Sequence, residues 1–291
     1  MLASSRGVTL IGAGTQGTRL AYMWSRCGRP VHVVDKSRDQ LDRSAKEIRR
    51  LRKEWPLPSL PGRRGGNTDW GEASFSSPDN LETAIHQSWL AIECVPESKS
   101  LKKALIQQLD GIAPPDVIVA SNSSSYTISE LLQGLALRTP DRFASIHSYW
   151  PPETTPVEIM GTDTTRPGIV DVLMQESAAH GFQPFHVRRS STGYIYNRIW
   201  AAIKRETLLA LDEQVATPSE IDALFKAVLK TPKGPCEQMD TVGLDVVLAI
   251  EEHYAEERQL PDAPRTVLKN MIAEGKLGVK SGEGFFNYEK K

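Results

Sequence analysis

The sequence lacks several features, and each absence excludes a class of protein. No apolar run approaches the length of about 18 residues that spans a bilayer, so we expect no membrane-spanning helix. Cys27, Cys94 and Cys236 lie far apart without metal-ligand spacing, which argues against a disulfide framework or a zinc site. The formal net charge of −1 gives no reason to expect a nucleic acid or a membrane surface as partner. Reduced cysteines, and a first strand that starts by Val8 with no room for a leader peptide, favour a cytoplasmic protein.

The remaining composition is that of a globular protein. Hydrophobic residues make up 40% of the chain and charged residues 24%, which are ordinary values. A chain of 291 residues is long enough for two domains, each with its own core.

A glycine-rich motif follows the first apolar segment, Val8–Ile11. It has the pattern G-x-G-x-x-G and predicts a strand, a tight turn and the start of a helix. Gly12 permits the turn, Gly14 lets the backbone approach a pyrophosphate, and Gly17 lets the helix pack closely on the strand. We therefore expect a dinucleotide at the N-terminus of this helix. The residues expected to contact it are Gly12, Gly14, Thr15, Gln16 and Gly17.

A second apolar segment, Val31–Val34, leads directly into Asp35. This aspartate lies 35 − 17 = 18 residues after the last glycine, close to the spacing of the carboxylate that binds the adenosine ribose. Its negative charge would repel the 2′-phosphate of NADP, so Asp35 favours NAD, although Lys36 and Arg38 could soften this preference. An ordinary glycine turn with a surface aspartate is the alternative, but the strand–turn–helix–strand order favours a nucleotide site.

Apolar and helical segments alternate as far as residue 187, which predicts a doubly wound parallel sheet with ligands at the carboxyl ends of its strands. Beyond that point we expect only helices, so we place a domain boundary near residue 188, between domains 1–188 and 189–291. Further strands are predicted at 89–95, 117–120, 143–147 and 185–187. Helices are predicted at 38–54, 101–109, 197–215, 219–229, 244–257 and 263–274.

Several motifs on this framework resemble those of one family, the 3-hydroxyacyl-CoA dehydrogenases, with their lambda-crystallin/L-gulonate 3-dehydrogenase and carnitine dehydrogenase relatives. The resemblance covers nearly the whole chain. It implies a Rossmann-type α/β domain with a doubly wound parallel sheet, an all-α C-terminal domain that forms a homodimer, and NAD as cofactor. The motifs are Gly12–Gly17, Asp35, Glu97 with Lys102, Ser121–Ser124, His147 before a proline-rich turn, Gly193–Arg198 and Gly275–Phe286.

The resemblance also implies roles for single residues. In this family a histidine takes the hydroxyl proton as hydride leaves the carbon, while a glutamate orients the ring. The matching residues here are His147 and Glu158. Ser124 and Asn197 match residues that position the substrate oxygen. No metal is expected, because the nicotinamide performs the hydride chemistry. The remaining cofactor contacts implied are Glu97, Lys102 and Lys280.

The sequence departs from the family pattern in three places. Trp150 stands where the family has asparagine, and the spacing of 158 − 147 = 11 between the histidine and the glutamate is one residue shorter than usual. Segment 56–71 is predicted to be a loop where the family has a helix that clamps CoA. We therefore expect a smaller substrate, to which CoA contributes little, although the basic stretch Arg49–Lys53 is suited to phosphates.

The sequence supports an NAD-dependent oxidoreductase that interconverts a 3-hydroxy acid or 3-hydroxyacyl thioester and its 3-keto form. It leaves two alternatives open: a biosynthetic keto-reductase for a larger, specialised substrate, and a non-catalytic NAD-binding protein such as a crystallin or a sensor. The presence of both His147 and Glu158 argues against the second. A serine hydrolase is disfavoured because no G-x-S-x-G elbow surrounds the serines.

Overall fold

The computed structural model describes residues 6–57 and 70–288. The chain divides into two compact units, Met1–Tyr194 and Ile195–Lys291, a few residues after the predicted boundary. The first unit contains the sheet, and the second unit is helical over its described residues.

The first unit is built on one eight-stranded sheet in the order β3-β2-β1-β4-β5-β6-β7-β8. All neighbouring strands are parallel except β6 and β7, which are antiparallel. The predicted doubly wound α/β fold is confirmed. The strands are β1 (Gly7–Ile11), β2 (Val31–Val34), β3 (Ala73–Ser76), β4 (Ser88–Glu93), β5 (Ile118–Ser121), β6 (Phe143–Trp150), β7 (Thr154–Met160) and β8 (Gln183–His186).

Helices cover both faces of this sheet, because the side chains of each strand alternate between two cores. Leu10 of β1 belongs to one buried cluster, together with Trp24 and Leu51. Its neighbour Ile11 belongs to the other, together with Leu109. The helices are α1 (Thr15–Trp24), α2 (Arg38–Glu54), α3 (Leu81–His86), α4 (Lys99–Ile112), α5 (Ile128–Leu132) and α6 (Ile169–Ala179).

Helix α2 has the predicted bounds, and its start follows from its sequence. The hydroxyl of Ser37 accepts a hydrogen bond from the backbone N–H of Gln40, as at other serine N-caps. The predicted loop at 56–71 lies mostly outside the described residues. Strands β3 and β7 and helices α3, α5 and α6 are additions to the predicted segments, and β3 forms the edge of the sheet.

Five helices make up the described part of the second unit. The predicted segments are present, and α9 is an addition. Buried Asp240 of α9 accepts backbone hydrogen bonds from Phe285 at 2.9 Å and Phe286 at 3.0 Å, which anchors the glycine-rich C-terminal motif. No helix in 6–57 or 70–288 is long and apolar enough to cross a membrane. The helices are α7 (Tyr196–Asp212), α8 (Pro218–Leu229), α9 (Pro235–Val242), α10 (Leu244–Arg258) and α11 (Ala263–Ala273).

Candidate active site

The glycine motif forms the turn between β1 and α1. Gly12 has a φ of +112°, and a Cβ there would lie 2.7 Å from the carbonyl oxygen of Cys94. A Cβ on Gly17 would lie 1.8 Å from the carbonyl oxygen of Gly12. Only glycine fits these two positions, because the turn, the helix and the loop after β4 approach so closely.

The same turn has the features that a dinucleotide pyrophosphate needs. A Cβ on Gly14 would meet no atom within 4 Å, so the approach to the backbone is open. Gly14 is the N-cap of α1 and supplies no side-chain cap, which leaves the positive end of the helix available to an anion. Asp35 lies beside the turn and accepts hydrogen bonds from the backbone N–H of Ala13 at 2.7 Å and of Ser37 at 2.8 Å. The described residues therefore fit a dinucleotide whose ribose lies at Asp35.

His147 and Glu158 are direct register partners on the antiparallel strands β6 and β7. The ladder shifts register between Ser148 and Trp150, where Tyr149 lies opposite two residues of β7, Thr155 and Pro156. This bulge shifts the pairing of the two strands by one residue. His147 and Glu158 consequently face each other across the strand pair despite the shortened spacing.

The His147 ring is buried, with 5% of the residue exposed. Tyr194 stacks on it with ring centroids 4.8 Å apart, and Tyr149 meets it edge-on at 4.9 Å. Burial lowers the pKa of His147 to about 4, against opposing contributions from Glu97 and from a backbone hydrogen bond with Asn122. The imidazole is therefore neutral at physiological pH, which is the form that accepts a proton.

Two tyrosines hold the surroundings of this histidine in place. The Tyr149 hydroxyl donates a hydrogen bond to the carboxylate of Glu158, which is buried with the histidine. The Tyr194 hydroxyl donates to the backbone carbonyl of Ser123 at 2.8 Å. The rings of both tyrosines contact His147, so the strand pair and the loop after β5 are connected through them.

Lys102 of α4 lies between two carboxylates. Its Nζ is 2.9 Å from Glu93 at the end of β4 and 3.2 Å from Glu97 in the next loop. Glu93 is fully buried and Lys102 is 1% exposed. Burial lowers the pKa of Lys102, but the two carboxylates more than reverse this effect, so the pKa is raised and the lysine stays charged.

The residues of the serine cluster after β5 have different hydrogen-bond partners. Ser121 donates a hydrogen bond to Glu93, and Ser123 donates to Glu97 at 2.5 Å. Asn122 accepts hydrogen bonds from the backbone N–H and the hydroxyl of Ser148, both at 2.9 Å. Ser124 is exposed and faces the neighbouring pocket.

A pocket of about 160 Å³ brings several of the predicted site residues together. Among its walls is Cys94, but burial raises the pKa of this thiol, which disfavours the thiolate and any nucleophilic role. The predicted site residues in its walls are Gln16, Glu97, Lys102, Ser124 and His147. We refer to it below as the His147 pocket.

A second cavity, of about 470 Å³, lies between α1, α2 and the turn after β6. Gly14 and Thr15 line it, and so does Trp150, the residue that departs from the family pattern. Trp150 is 47% exposed, and the Arg19 guanidinium lies 4.2 Å from its ring centroid. Arg19 also donates a hydrogen bond to the Pro151 carbonyl at 2.6 Å. The guanidinium on α1 therefore contacts both Trp150, which replaces the asparagine of the family, and the turn that follows it.

Asn197 and Lys280 belong to the second unit. Asn197 is the second residue of α7, and Lys280 forms an ion pair with Asp245 of α10. Their predicted roles at the substrate and at the cofactor stay predictions. Sequence reasoning assigned no role to Tyr149, although its position two residues after His147 places both on one face of a strand.

Two family models together match nearly the whole chain. Residues 7–190 match the NAD-binding domain of 3-hydroxyacyl-CoA dehydrogenase. Residues 193–288 match the C-terminal domain of the same family.

Individual proteins agree with this match. The mitochondrial hydroxyacyl-coenzyme A dehydrogenase of Sus scrofa is 31% identical over 288 residues, covering 97% of this chain and 91% of that protein. The crystal structure of (S)-3-hydroxybutyryl-CoA dehydrogenase from Ralstonia eutropha is 30% identical with a TM-score of 0.85, covering 99% of this chain and all of that one. A diketoreductase structure is 27% identical with a TM-score of 0.76, covering 99% of this chain and 100% of that one. The chain thus belongs to the 3-hydroxyacyl-CoA dehydrogenase family, as its motifs predict, and its first domain is an NAD-binding domain.

Proposed function

We propose that this protein interconverts a 3-hydroxyacyl thioester and its 3-ketoacyl form, with NAD as the hydride carrier. The observation that carries the proposal is the buried, neutral His147 in one pocket with Ser124, beside the turn that fits a dinucleotide. The names of the curated relatives, among them a hydroxyacyl-coenzyme A dehydrogenase, favour a CoA thioester over the smaller free acid. The loop on which the expectation of a free acid depends lies mostly outside the described residues.

In the oxidation direction, His147 accepts the proton of the substrate hydroxyl as the carbon–oxygen double bond forms. When bound, NAD would supply the hydride acceptor for the carbon that carries this oxygen. Ser124, which lines the same pocket as His147, positions the oxygen. In the reduction direction the imidazolium donates this proton to the carbonyl oxygen of the substrate, which becomes the hydroxyl of the product.

Glu158 lowers the energy of the charged form of His147 during this exchange. A neutral imidazole buried among aromatic rings gains a proton at a high free-energy cost, because burial disfavours charge. A carboxylate on the opposing strand offsets part of that cost. The Tyr149 hydroxyl fixes the position of the carboxylate, which makes Tyr149 a positioning residue in this proposal.

The proposal is tested by following NADH absorbance with 3-hydroxybutyryl-CoA and NAD⁺, and with acetoacetyl-CoA and NADH in the reverse direction. We expect turnover in both directions. NADH binding without turnover on any 3-hydroxyacyl or 3-ketoacyl substrate would support the non-catalytic alternative. Turnover confined to reduction of larger ketones would support the biosynthetic keto-reductase, an alternative that the similarity to a diketoreductase structure favours.

We further propose that the chain forms a homodimer through its second unit. Leu224 and Val228, both 66% exposed, lie four residues apart on α8 and therefore share one face of the helix. An exposed apolar face of this kind is typical of a protein interface. Light scattering after size exclusion measures the mass, and a dimer that Leu224→Glu converts to monomer would support this assignment. The predicted cytoplasmic location stays a prediction.

A further inference from the structure

Gln16 presents a buried acceptor at the edge of the His147 pocket. It is the second residue of α1 and lines that pocket. Its Nε2 donates a hydrogen bond to the backbone carbonyl of Tyr149 at 2.6 Å. Its Oε1 is buried and accepts no hydrogen bond within residues 6–57 and 70–288. A buried acceptor without a donor is destabilising, which indicates that a bound ligand supplies the donor.

The orientation of the Gln16 amide is fixed by its partner. Reversing the amide would place its oxygen against the Tyr149 carbonyl oxygen, and two acceptors repel each other. Tyr149 lies at the register shift of the ladder, between the paired residues Ser148 and Trp150. The amide therefore has an oxygen, and not an N–H group, left for a ligand.

Other side-chain acceptors in this pocket already have donors. Asn122 Oδ1 accepts two hydrogen bonds from Ser148. Glu97 Oε1 accepts from the Ser123 hydroxyl at 2.5 Å and from the backbone N–H of Ser125 at 2.9 Å. The imidazole is assigned to the reacting proton. The Ser124 hydroxyl is exposed and is assigned to the substrate oxygen, so the glutamine oxygen is the buried acceptor left for a further ligand donor.

We propose that Gln16 Oε1 accepts a hydrogen bond from the carboxamide N–H of the nicotinamide ring. The inference rests on the proposed function, which places the reacting end of NAD beside His147. The carboxamide is the only hydrogen-bond donor on that ring, and the substrate hydroxyl already donates to His147. A held carboxamide prevents rotation of the ring, so that one face of the ring stays directed at the substrate carbon.

A cofactor analogue tests this contact without turnover. In 3-acetylpyridine adenine dinucleotide a methyl group replaces the amide nitrogen, so the carbonyl remains but the donor is absent. Calorimetric titration of the wild type should show NAD⁺ binding roughly three- to tenfold more tightly than the analogue, as expected for one hydrogen bond. Gln16→Met should weaken NAD⁺ binding and abolish this preference.

Arg19→Met is the matched control. Arg19 also lies on α1 and donates to a backbone carbonyl of the same turn, that of Pro151, but it does not line the His147 pocket. If the preference arose from the rigidity of the contact between α1 and the turn, Arg19→Met would abolish it too. We expect Arg19→Met to retain the preference.

The outcomes separate the two proposals. An undiminished preference for NAD⁺ in Gln16→Met would overturn the assignment of Gln16 while leaving the cofactor site intact. An unchanged preference combined with a raised KM for the acyl substrate would likewise overturn it and assign the oxygen to the substrate. Failure of the wild type to bind either dinucleotide would contradict the proposed function itself.

Discussion

His147 and Glu158 lie directly opposite each other on β6 and β7, so both side chains leave the sheet on the same face. The histidine is 5% and the glutamate 3% exposed, which shields any charge on the pair from water. Charges interact more strongly in such a buried environment than at the surface, so the carboxylate can stabilise the imidazolium that forms during the reaction.

His147→Gln should lower kcat by about 100- to 10,000-fold, the usual effect of removing a positioned general base. NADH affinity, measured by fluorescence titration, should remain within a few-fold of the wild type. Glu158→Gln should have a smaller effect, because the imidazole remains, and Tyr149→Phe a smaller one still. A His147→Gln enzyme with near-normal turnover would rule out the mechanism.

Asp35→Ser should shift the cofactor preference from NAD(H) toward NADP(H). The substitution removes the charge that repels a 2′-phosphate, and Lys36 and Arg38 remain nearby. The measurement is the ratio of kcat/KM with NADH to kcat/KM with NADPH, which should fall by about tenfold or more. A wild type that uses NADPH better than NADH would contradict the role assigned to Asp35.

Lys102→Met should destabilise the protein by about 3 kcal/mol or more, because it leaves the buried Glu93 without its cation. Urea denaturation measures the change, and adding Glu93→Gln should recover part of it. Lys99→Met is the control, since Lys99 forms an exposed pair with Glu130 at 3.8 Å. The loss of such a pair changes stability by about 1 kcal/mol at most. Equal effects of the two lysine substitutions would contradict the prediction.

The protein should lose stability as the pH falls from 6.5 toward 4. Burial lowers the pKa of His180 to about 4, as it does that of His147. Unfolded histidines bind protons near pH 6.5, so the unfolded chain holds more protons across this interval and stability rises with pH. At pH 5 each buried histidine should account for roughly 1–2 kcal/mol of the loss.

Urea denaturation at pH 7 and pH 5 measures this dependence, and His180→Gln should make it shallower. His86→Gln serves as the control, because that ring is 54% exposed. If the His180 variant had the same pH dependence as the wild type, the burial of His180 would not be its cause.

Charge-reversal variants on α2 should show whether the substrate is a CoA thioester or a free acid. Arg49 and Lys53 are exposed and form no ion pair within the described part of the chain. Arg49→Glu and Lys53→Glu should each raise the KM for acetoacetyl-CoA about three- to tenfold, because they repel its phosphates. The KM for free acetoacetate should not change. Arg189→Glu, just after strand β8 at the opposite end of the sheet, is the control. Equal effects on the KM values of the thioester and the free acid would contradict the proposal that the substrate is a CoA thioester.

The periodicity of the sequence predicts most of the fold. Long patterns such as Arg38–Glu54 give correct helix bounds, because the buried face and the Ser37 cap both appear in the sequence. Strand β3 is not predicted because Ala73–Ser76 is short, weakly apolar and paired only at the sheet edge. Helix α9 is not predicted because its eight residues are too few to establish a helical period.

The sequence predicts individual residues of the candidate site, but it does not predict the contacts that bring them together. The predicted strand ends identify His147 and the serine cluster, since ligands collect at the carboxyl edge of a parallel sheet, although β6 continues past His147 to Trp150. The stacking of Tyr194 on His147 depends on a chain reversal that brings together residues 47 positions apart (194 − 147 = 47), and no local pattern encodes it. The same applies to the contact between Gln16 and Tyr149.

Gln16 and Arg19 hold the turn after His147 from one helix, and that helix begins at the cofactor turn. For protein engineering, this wall of the pocket should be kept unchanged, because it sets the positions of the reacting groups. Substitutions in this wall would change the distance between the hydride carrier and the proton acceptor. They would also change the fit of the substrate. Val95 also lines the pocket, and its side chain packs against the apolar cluster that contains Ile11 and Leu109. A mutagenesis library aimed at new acyl groups should therefore begin with Val95.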